Sequence, residues 1–215
     1  MIHVDPQPEP THFNARVRLR GQAYLARIGH TPTTKEWESH SYWREILPNL
    51  HESYGGICAY SCHWIPYDTG ADTVEHFIAK SIQPGQAYEW NNYRLVCATL
   101  NGRKGTNAVV LDPFVIDNGW FVLDFPSLQV KPERGLGEPL TGQIWDTITL
   151  LGLNDEGTCL KSRQKYIKDY CKGCVNFQYL QQDAPFIAYE LERQGLVQTI
   201  NDIMGYEPDA CLLDD

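Results

Sequence analysis

The sequence predicts an α+β fold in one domain, because helical segments at both ends flank a centre of short strand-like runs. Apolar residues recur at helical intervals over residues 35–54 and again from about residue 140 onward. Between them stand the runs VEHFIA and YRLVCA and, further on, two apolar runs separated by a turn signal. We therefore expect a helical N-terminal extension over 1–54, a core with a following β-hairpin over 55–130, and a helical C-terminal part over 131–215.

The N-terminal extension is expected to start as an extended arm, since three prolines lie within residues 1–10. The next run, FNARVRLRGQAYLARI, has helical spacing, and we interpret its arginines as a solvated helix face. Residues 35–54 predict a firmer helix that Pro48 kinks or ends. Its apolar side chains, which we assign to the core, are Trp37, Tyr42, Trp43, Ile46 and Leu50.

The predicted hairpin consists of the runs VVLDPFVI and GWFVLDF, joined by Asp117-Asn118-Gly119. Asn-Gly tolerates the positive φ values that a tight hairpin turn requires. Three helical segments follow: TGQIWDTITLLGL, LKSRQKYIKDYC and PFIAYELERQGLVQTINDIM. Thr141 heads the first of them and is expected to act as its N-cap.

The composition indicates an ordinary globular protein, with 42% hydrophobic and 21% charged residues. A chain of 215 residues can bury one substantial core. No apolar run approaches the roughly 18 residues that a membrane helix needs, and MIHVDPQPEPTHF lacks the basic start and apolar stretch of a signal peptide. We therefore expect a cytoplasmic protein with no membrane partner.

The charge of −9 argues against a non-specific grip on nucleic acid over the whole surface. The charges are unevenly placed, since arginines cluster near the start and Arg103-Lys104 lies near the middle. The tail is acidic through Glu207, Asp209, Asp214 and Asp215. A nucleic-acid footprint is therefore expected to be local, or shared with a partner.

The residues that can carry chemistry are Glu75-His76, Asn92 and Asn101. Phosphodiester hydrolysis needs a base that activates water and a hard cation that neutralises the developing charge. A carboxylate beside a histidine can supply both functions, and an asparagine oxygen suits Mg²⁺ as a further ligand. Adjacent side chains of a strand point to opposite faces, so the chain has to bend at Glu75-His76 to bring both into one site.

Four short stretches in this part of the chain occur in a fixed order. They are GICAYS (56–61), EHFIAKS (75–81), NYRLVCATLN (92–101) and RKG (103–105). His76 precedes Asn92 by 16 positions, and Asn101 follows Asn92 by nine. In order and spacing this pattern resembles the HNH (ββα-metal) nuclease family. The resemblance implies a ββα-metal core with an adjoining β-hairpin, flanked by N- and C-terminal helices.

The resemblance also implies roles for individual residues. His76 is expected to be the general base, and Glu75 and Asn101 to hold Mg²⁺ or Mn²⁺. Asn92 is expected to brace the loop that carries His76 through hydrogen bonds. We assign contacts with nucleic acid to Lys80, Arg103 and Lys104, with a rim position or a solvated charge as the alternative.

The seven cysteines are an odd number, which in a cytosolic protein indicates thiols or metal ligands rather than disulfides. Many HNH relatives hold a structural zinc with two Cys-x-x-Cys pairs. Here Ser61 and Leu100 stand where two of those cysteines would be, so we expect no structural zinc and a buried Leu100 instead. A zinc site through Cys171 and Cys174 remains an alternative.

The segments VLDPF, WFVLDFPSL and TITLLGLND are similar to those of stand-alone bacterial HNH proteins, including the HNH subunits of Septu-type and retron-associated anti-phage defence systems. That resemblance implies an endonuclease effector that works with a partner ATPase. We expect DNA rather than RNA as the substrate. The alternatives are an RNA-cleaving HNH nuclease, and a weakly active or inactive subunit that binds nucleic acid or serves in assembly.

Overall fold

The computed structural model describes residues 1–69 and 71–206, and it confirms a mixed α+β fold. Cys211 and the acidic tail lie outside the described residues. By its internal contacts the chain separates into two compact units. We call residues 4–59 and 65–108 the N-terminal unit, and residues 1–3, 60–64 and those from 109 onward the C-terminal unit. The single-domain organisation remains a prediction, and each unit is described by itself.

The N-terminal unit opens with helices. A π-helical turn over Asn14–Arg18 leads into α1 (Leu19–Ile28), which Gly29 ends in the left-handed conformation. Then follow α2 (Thr34–Ser39), a 3₁₀ turn (Tyr42–Ile46) and α3 (Leu47–Ser53).

The single helix predicted over 35–54 is therefore interrupted. Thr33 and Glu36 form a capping box that begins α2. Pro48 lies in the first turn of α3, where its missing N–H costs nothing, so it helps to begin a helix rather than to end one. The apolar spacing predicts the helical character of residues 35–54 but not the breaks between the three helical pieces.

Strands β1 (Asp72–His76) and β2 (Tyr93–Cys97) form an antiparallel pair, and α4 (Ala98–Lys104) follows β2 directly. β2 occupies the run YRLVCA as predicted, whereas β1 begins two residues before the run VEHFIA and ends at His76, in the middle of it. Between them the chain makes short 3₁₀ turns over Pro84–Tyr88 and Trp90–Asn92.

Aromatic packing joins the helices of the N-terminal unit to this pair of strands. The fully buried Phe13 meets Trp90 and Tyr93 edge to face, with ring centroids 5.6 and 5.7 Å away. On α1, a Cβ at Gly21 would lie 2.0 Å from the ring of Tyr88. Only glycine therefore allows that close approach.

The C-terminal unit contains a second antiparallel pair, β3 (Phe121–Asp124) and β4 (Gln129–Pro132). Its helices in the described part of the chain are α5 (Leu140–Leu151), α6 (Cys159–Cys171), α7 (Phe177–Asp183), α8 (Pro185–Arg193) and α9 (Ile200–Met204). None of the helices in the described part of the chain combines the length and apolarity that a membrane crossing requires.

The observed hairpin contains only the second of the two predicted strands. The run VVLDPFVI is not a strand, because Asp112 and Pro113 turn the chain: the carboxylate of Asp112 accepts from the backbone N–H of Phe114, 3.1 Å away, and its carbonyl accepts from Val115 at 3.0 Å. Residues Phe121–Asp124 of GWFVLDF pair instead with Gln129–Pro132, through a turn in which Leu128 has a φ of 55°.

Two helix boundaries also differ from the prediction. Thr141 lies inside α5, and its hydroxyl donates to the carbonyl of Leu136 at 2.8 Å, so it is not the N-cap. The last predicted helix is divided into α8 and α9, since the chain leaves the helical path at Gly195, which has a φ of 69°.

Candidate functional site

The N-terminal unit contains a cleft of about 540 Å³, which lies at the end of β1. The cleft brings Glu75, His76, Lys80 and Asn101 together, although they are up to 26 positions apart in the sequence. The remaining lining residues are Thr34, Trp37, Glu38, Ser41, Trp43, Arg44, Val74, Ala79, Ser81, Gly102, Gly105 and Thr106.

Asn92 connects the start of β2 with the loop that follows His76. Its side-chain oxygen accepts from the backbone N–H of Ile78 at 2.7 Å. Its side-chain nitrogen donates to the carbonyls of Ile78 at 2.9 Å and Gln86 at 3.0 Å. The Asn92 side chain is 4% exposed and does not line the cleft, so it acts on the loop and not on a ligand.

His76, which lines the cleft, is held in one tautomer. Its Nε2 lies 3.0 Å from the carbonyl of Ala87, and because a carbonyl can only accept, Nε2 carries the proton. Nδ1 is therefore the nitrogen that can accept a proton. Trp43 and Tyr93 hold the ring edge to face, with centroids 4.7 and 5.1 Å away.

The imidazole of His76 is neutral at physiological pH. Burial lowers the pKa of His76 to about 3, and the positive charge of Lys80 contributes in the same direction. The hydrogen bond to Ala87 only partly offsets this effect. The ring is therefore unprotonated without a preceding deprotonation, and its lowered pKa also makes it a weaker base than a free imidazole.

Glu75 forms a buried ion pair with Lys104, whose Nζ lies 2.6 Å from Oε1. Burial raises the pKa of Glu75 to about 6, although the charge of Lys104 lowers it. Lys104 also donates to the carbonyl of Phe77 at 3.0 Å. The end of α4 is thereby tied to the end of β1, and the charge of the carboxylate is largely balanced.

The amide of Asn101 is oriented by Thr73. The Thr73 hydroxyl donates its single proton to the carbonyl of Val96 at 2.6 Å, so it can only accept from Asn101 Nδ2, 2.8 Å away. The side-chain oxygen of Asn101 is consequently the atom left for another donor or for a cation.

The donor types present fit a hard divalent cation. Glu75 offers a carboxylate and Asn101 an amide oxygen on one cleft, and Mg²⁺ commonly binds one or two carboxylates and completes its shell with water and phosphate. Across residues 1–69 and 71–206, no three His, Cys, Asp or Glu side chains come together as a metal-binding group. A cation here would therefore depend on water and substrate for its other ligands, and would compete with Lys104 for Glu75.

The three predicted nucleic-acid contacts lie in different environments. Lys80 lines the cleft, with Nζ 5.4 Å from the centroid of the Trp43 ring. Arg103 is half-buried on α4 and is not among the lining residues. Lys104 is only 1% exposed and paired with Glu75, so it lies away from the surface position that a phosphate contact requires. Of the three, only Lys80 faces the cleft.

Residues 34–44 contribute a wall of the cleft that the sequence did not predict. Trp37 and Trp43 were assigned to the core, and they are indeed 5% and 7% exposed, but both also border the cleft. Arg44 was not singled out at all. The motif carries no signal for these positions, because they come from a separate helical segment whose approach depends on tertiary packing.

The structure also gives the positions of the cysteines and of Leu100. Leu100 is 1% exposed, as expected for a residue that packs in the core. Cys58 is buried, and its Sγ accepts from the backbone N–H of Cys97 at 3.5 Å. In the C-terminal unit, Cys171 ends α6 in a buried position, while Cys174 is exposed. Zinc binding by Cys171 and Cys174 stays a prediction.

Comparisons with known proteins add no further assignment. A scan against protein-family models finds no family that matches this chain. A search of curated proteins likewise finds no match.

Proposed function

We propose that the chain is a metal-dependent endonuclease of the HNH type that hydrolyses phosphodiester bonds in DNA. One observation carries the proposal: a neutral histidine, with its Nε2 proton engaged by a carbonyl, lines the same cleft as a carboxylate and an oriented amide. A base, two oxygen ligands and a cation for phosphate are the groups that such hydrolysis needs. The sequential order of β1, β2 and α4 also agrees with a ββα core.

In the proposed reaction, Nδ1 of His76 accepts a proton from a water molecule while the water oxygen forms a bond to phosphorus. The bond from phosphorus to one ester oxygen breaks, and that oxygen leaves with the electron pair and takes up a proton from solvent. Glu75 and Asn101 are the proposed ligands of Mg²⁺ or Mn²⁺, and the chemistry that a bound cation supplies is neutralisation of charge on the phosphate and the leaving oxygen.

The other residues of the site have supporting roles in this proposal. Asn92 holds the loop after β1, so that His76 keeps its position relative to Glu75. Trp43 and Tyr93 pack against the imidazole and limit its rotation. Lys80 attracts the phosphate to the cleft.

The test is a cleavage assay with purified protein, with and without candidate partner proteins, on plasmid DNA and on RNA, in Mg²⁺ or Mn²⁺. Wild type is compared with His76→Ala and with His30→Ala, a matched variant of an exposed histidine in the same unit. We expect metal-dependent cleavage by wild type and His30→Ala and none by His76→Ala. Equal behaviour of all three proteins under every condition contradicts the proposal.

A second candidate function is an inactive subunit that binds nucleic acid or serves in assembly. The ion pair of Lys104 with Glu75 favours it, because it neutralises the carboxylate that would hold the cation. Failure of Mn²⁺ to bind wild type in calorimetry, together with the absence of cleavage, would support this candidate over the nuclease.

The cellular setting proposed here follows from the sequence resemblance alone. We propose a cytoplasmic nuclease effector of an anti-phage defence system that acts with a partner ATPase. The charge of −9 agrees with an activity that needs a partner to approach nucleic acid. Full cleavage by the isolated chain at physiological salt would contradict this partner dependence. If RNA is cut and DNA is not, the RNA-cleaving alternative replaces the DNA nuclease.

A further inference from the structure

The cleft carries Arg44, a basic side chain that the motif does not explain, beside Lys80, which belongs to the motif. Arg44 lies on the 3₁₀ turn Tyr42–Ile46, and Lys80 follows the end of β1. Both line the cleft that contains Glu75 and His76. They belong to segments 36 positions apart, so only the folded chain makes them neighbours.

Trp43 explains how the two segments are held together. Its ring is 7% exposed and contacts His76 edge to face, with centroids 4.7 Å apart. Lys80 Nζ lies 5.4 Å from the centroid of the same ring, within the range of a cation–π contact. The turn that carries Arg44 is thereby anchored beside both the proposed base and Lys80.

The two positive charges repel each other. Burial lowers the pKa of Lys80, the charge of Glu75 acts in the opposite direction, and the charge of Arg44 adds a smaller lowering. Glu75 already has Lys104 as its ion-pair partner. In the part of the chain that the structure describes, neither Arg44 nor Lys80 has an acidic side chain as an ion-pair partner, whereas Arg18 and Arg20 of the same unit do.

We propose that Arg44 and Lys80 form a phosphate-binding subsite, which takes a phosphate of the substrate strand next to the one that is cleaved. The strand and the cleavage rest on the proposed function, but the affinity for phosphate does not. An arginine fork matches two phosphate oxygens, and a lysine adds a mobile point charge. A cleft of about 540 Å³ is large enough for a phosphate with its attached nucleoside.

Calorimetric titration with inorganic tripolyphosphate in EDTA tests the subsite without metal or cleavage. We expect wild type to bind, and Arg44→Gln/Lys80→Gln to bind about tenfold more weakly or worse, because two charge-assisted contacts are lost. The matched control is Arg16→Gln/Arg27→Gln, which removes the same charge from exposed positions of the same unit that do not line the cleft. The control is expected to bind like wild type.

Two single variants of Arg44 are tested as well, because Lys80 is partly buried and its substitution can disturb folding. Arg44 is exposed, so Arg44→Gln is expected to melt like wild type and still to weaken binding, and Arg44→Lys to recover part of the affinity. No binding of tripolyphosphate by wild type, or equal weakening by the cleft double variant and the control, overturns the subsite.

The cleavage assay separates failure of this inference from failure of the proposed function. If Arg44→Gln binds tripolyphosphate like wild type while His76→Ala abolishes cleavage, the subsite is wrong and the nuclease stands. If binding depends on Arg44 while no condition yields cleavage, the subsite stands and the nuclease is wrong.

Discussion

His63 and His76 are both buried histidines, one in each unit, and they show why burial alone does not identify a functional residue. Burial lowers the pKa of each to about 3, with a contribution from Arg163 at His63 and from Lys80 at His76. His63 is held by the Ser162 hydroxyl, 3.1 Å from Nδ1, and lies 5.1 Å from the Tyr166 ring. His76 lines a cleft together with a carboxylate and an amide, whereas His63 does not line that cleft.

The basic residues near the two histidines also differ in their surroundings. Near His63, Arg163 is 2% exposed and donates to the carbonyls of Leu128 at 2.8 Å and Leu153 at 2.6 Å. These bonds connect the β3–β4 turn with the segment before α6, which is a structural role. Near His76, Lys80 points to the cleft with no acidic partner among the described residues. The neighbours, and not the shifted pKa, distinguish the candidate site.

The largest expected effect is a difference in activity between the two histidines. His76→Gln is expected to lower the cleavage rate about one hundred- to ten-thousand-fold, because the base is lost. His63→Gln is expected to leave the rate unchanged. Single-turnover cleavage in Mn²⁺ measures the rate of each variant, and far-UV circular dichroism shows whether each variant is folded. If both substitutions lower the rate equally while both proteins remain folded, the contrast between the two sites is wrong.

Arg163→Ala is expected to destabilise the C-terminal unit by about 3 kcal/mol or more, because the substitution leaves buried carbonyls without donors. Urea unfolding measures the decrease in the free energy of unfolding. Lys161→Ala on the same helix, where the side chain is exposed, serves as the control and should change stability by less than about 0.5 kcal/mol. A similar small change for both variants would mean that Arg163 is not a structural bridge.

The contribution of His63 can be isolated from the pH dependence of the free energy of unfolding. The pKa of His63 is about 3 in the folded chain and near its ordinary value of 6.5 when unfolded. Because the pKa of His63 is lower in the folded chain than in the unfolded chain, its neutral imidazole stabilises the fold fully above pH 6.5. As the pH falls toward 3, the free energy of unfolding decreases by up to about 1.4 kcal/mol per pH unit. Wild type should therefore lose more stability than His63→Gln between pH 6.5 and 5. Parallel urea midpoints for the two proteins over this range would show that His63 titrates normally.

The smallest expected effects concern the hydroxyl groups that support each site. Ser162→Ala is expected to cost about 1 kcal/mol of stability and no activity, since it removes one hydrogen bond of His63. Thr73→Val is expected to weaken Mn²⁺ binding about tenfold, because the Asn101 amide loses the acceptor that orients it. Urea unfolding and calorimetry measure these two changes. If Thr73→Val binds Mn²⁺ like wild type, the orientation of Asn101 does not matter for the cation.

Local features of the fold were predictable from the sequence. Short β-like runs indicated β1 and β2, and the structure brings Glu75, His76 and Asn101 to one cleft at the end of β1, with Asn92 holding the adjoining loop. The hairpin was misplaced because Asp117-Asn118-Gly119 is a strong local turn signal, while the pairing of β3 depends on its partner β4 and on the turn at Asp112.

By itself, the sequence determined the α+β class, the two central strands and the identity of the polar residues around them, because these follow from periodicity and residue type over short distances. Only the tertiary structure decided that Lys104 is buried against Glu75 and that the segment of Trp43 and Arg44 forms a wall of the cleft. The physical reason is that burial, ion pairing and pKa arise from atoms brought together across long stretches of sequence, and no local pattern records which segments meet.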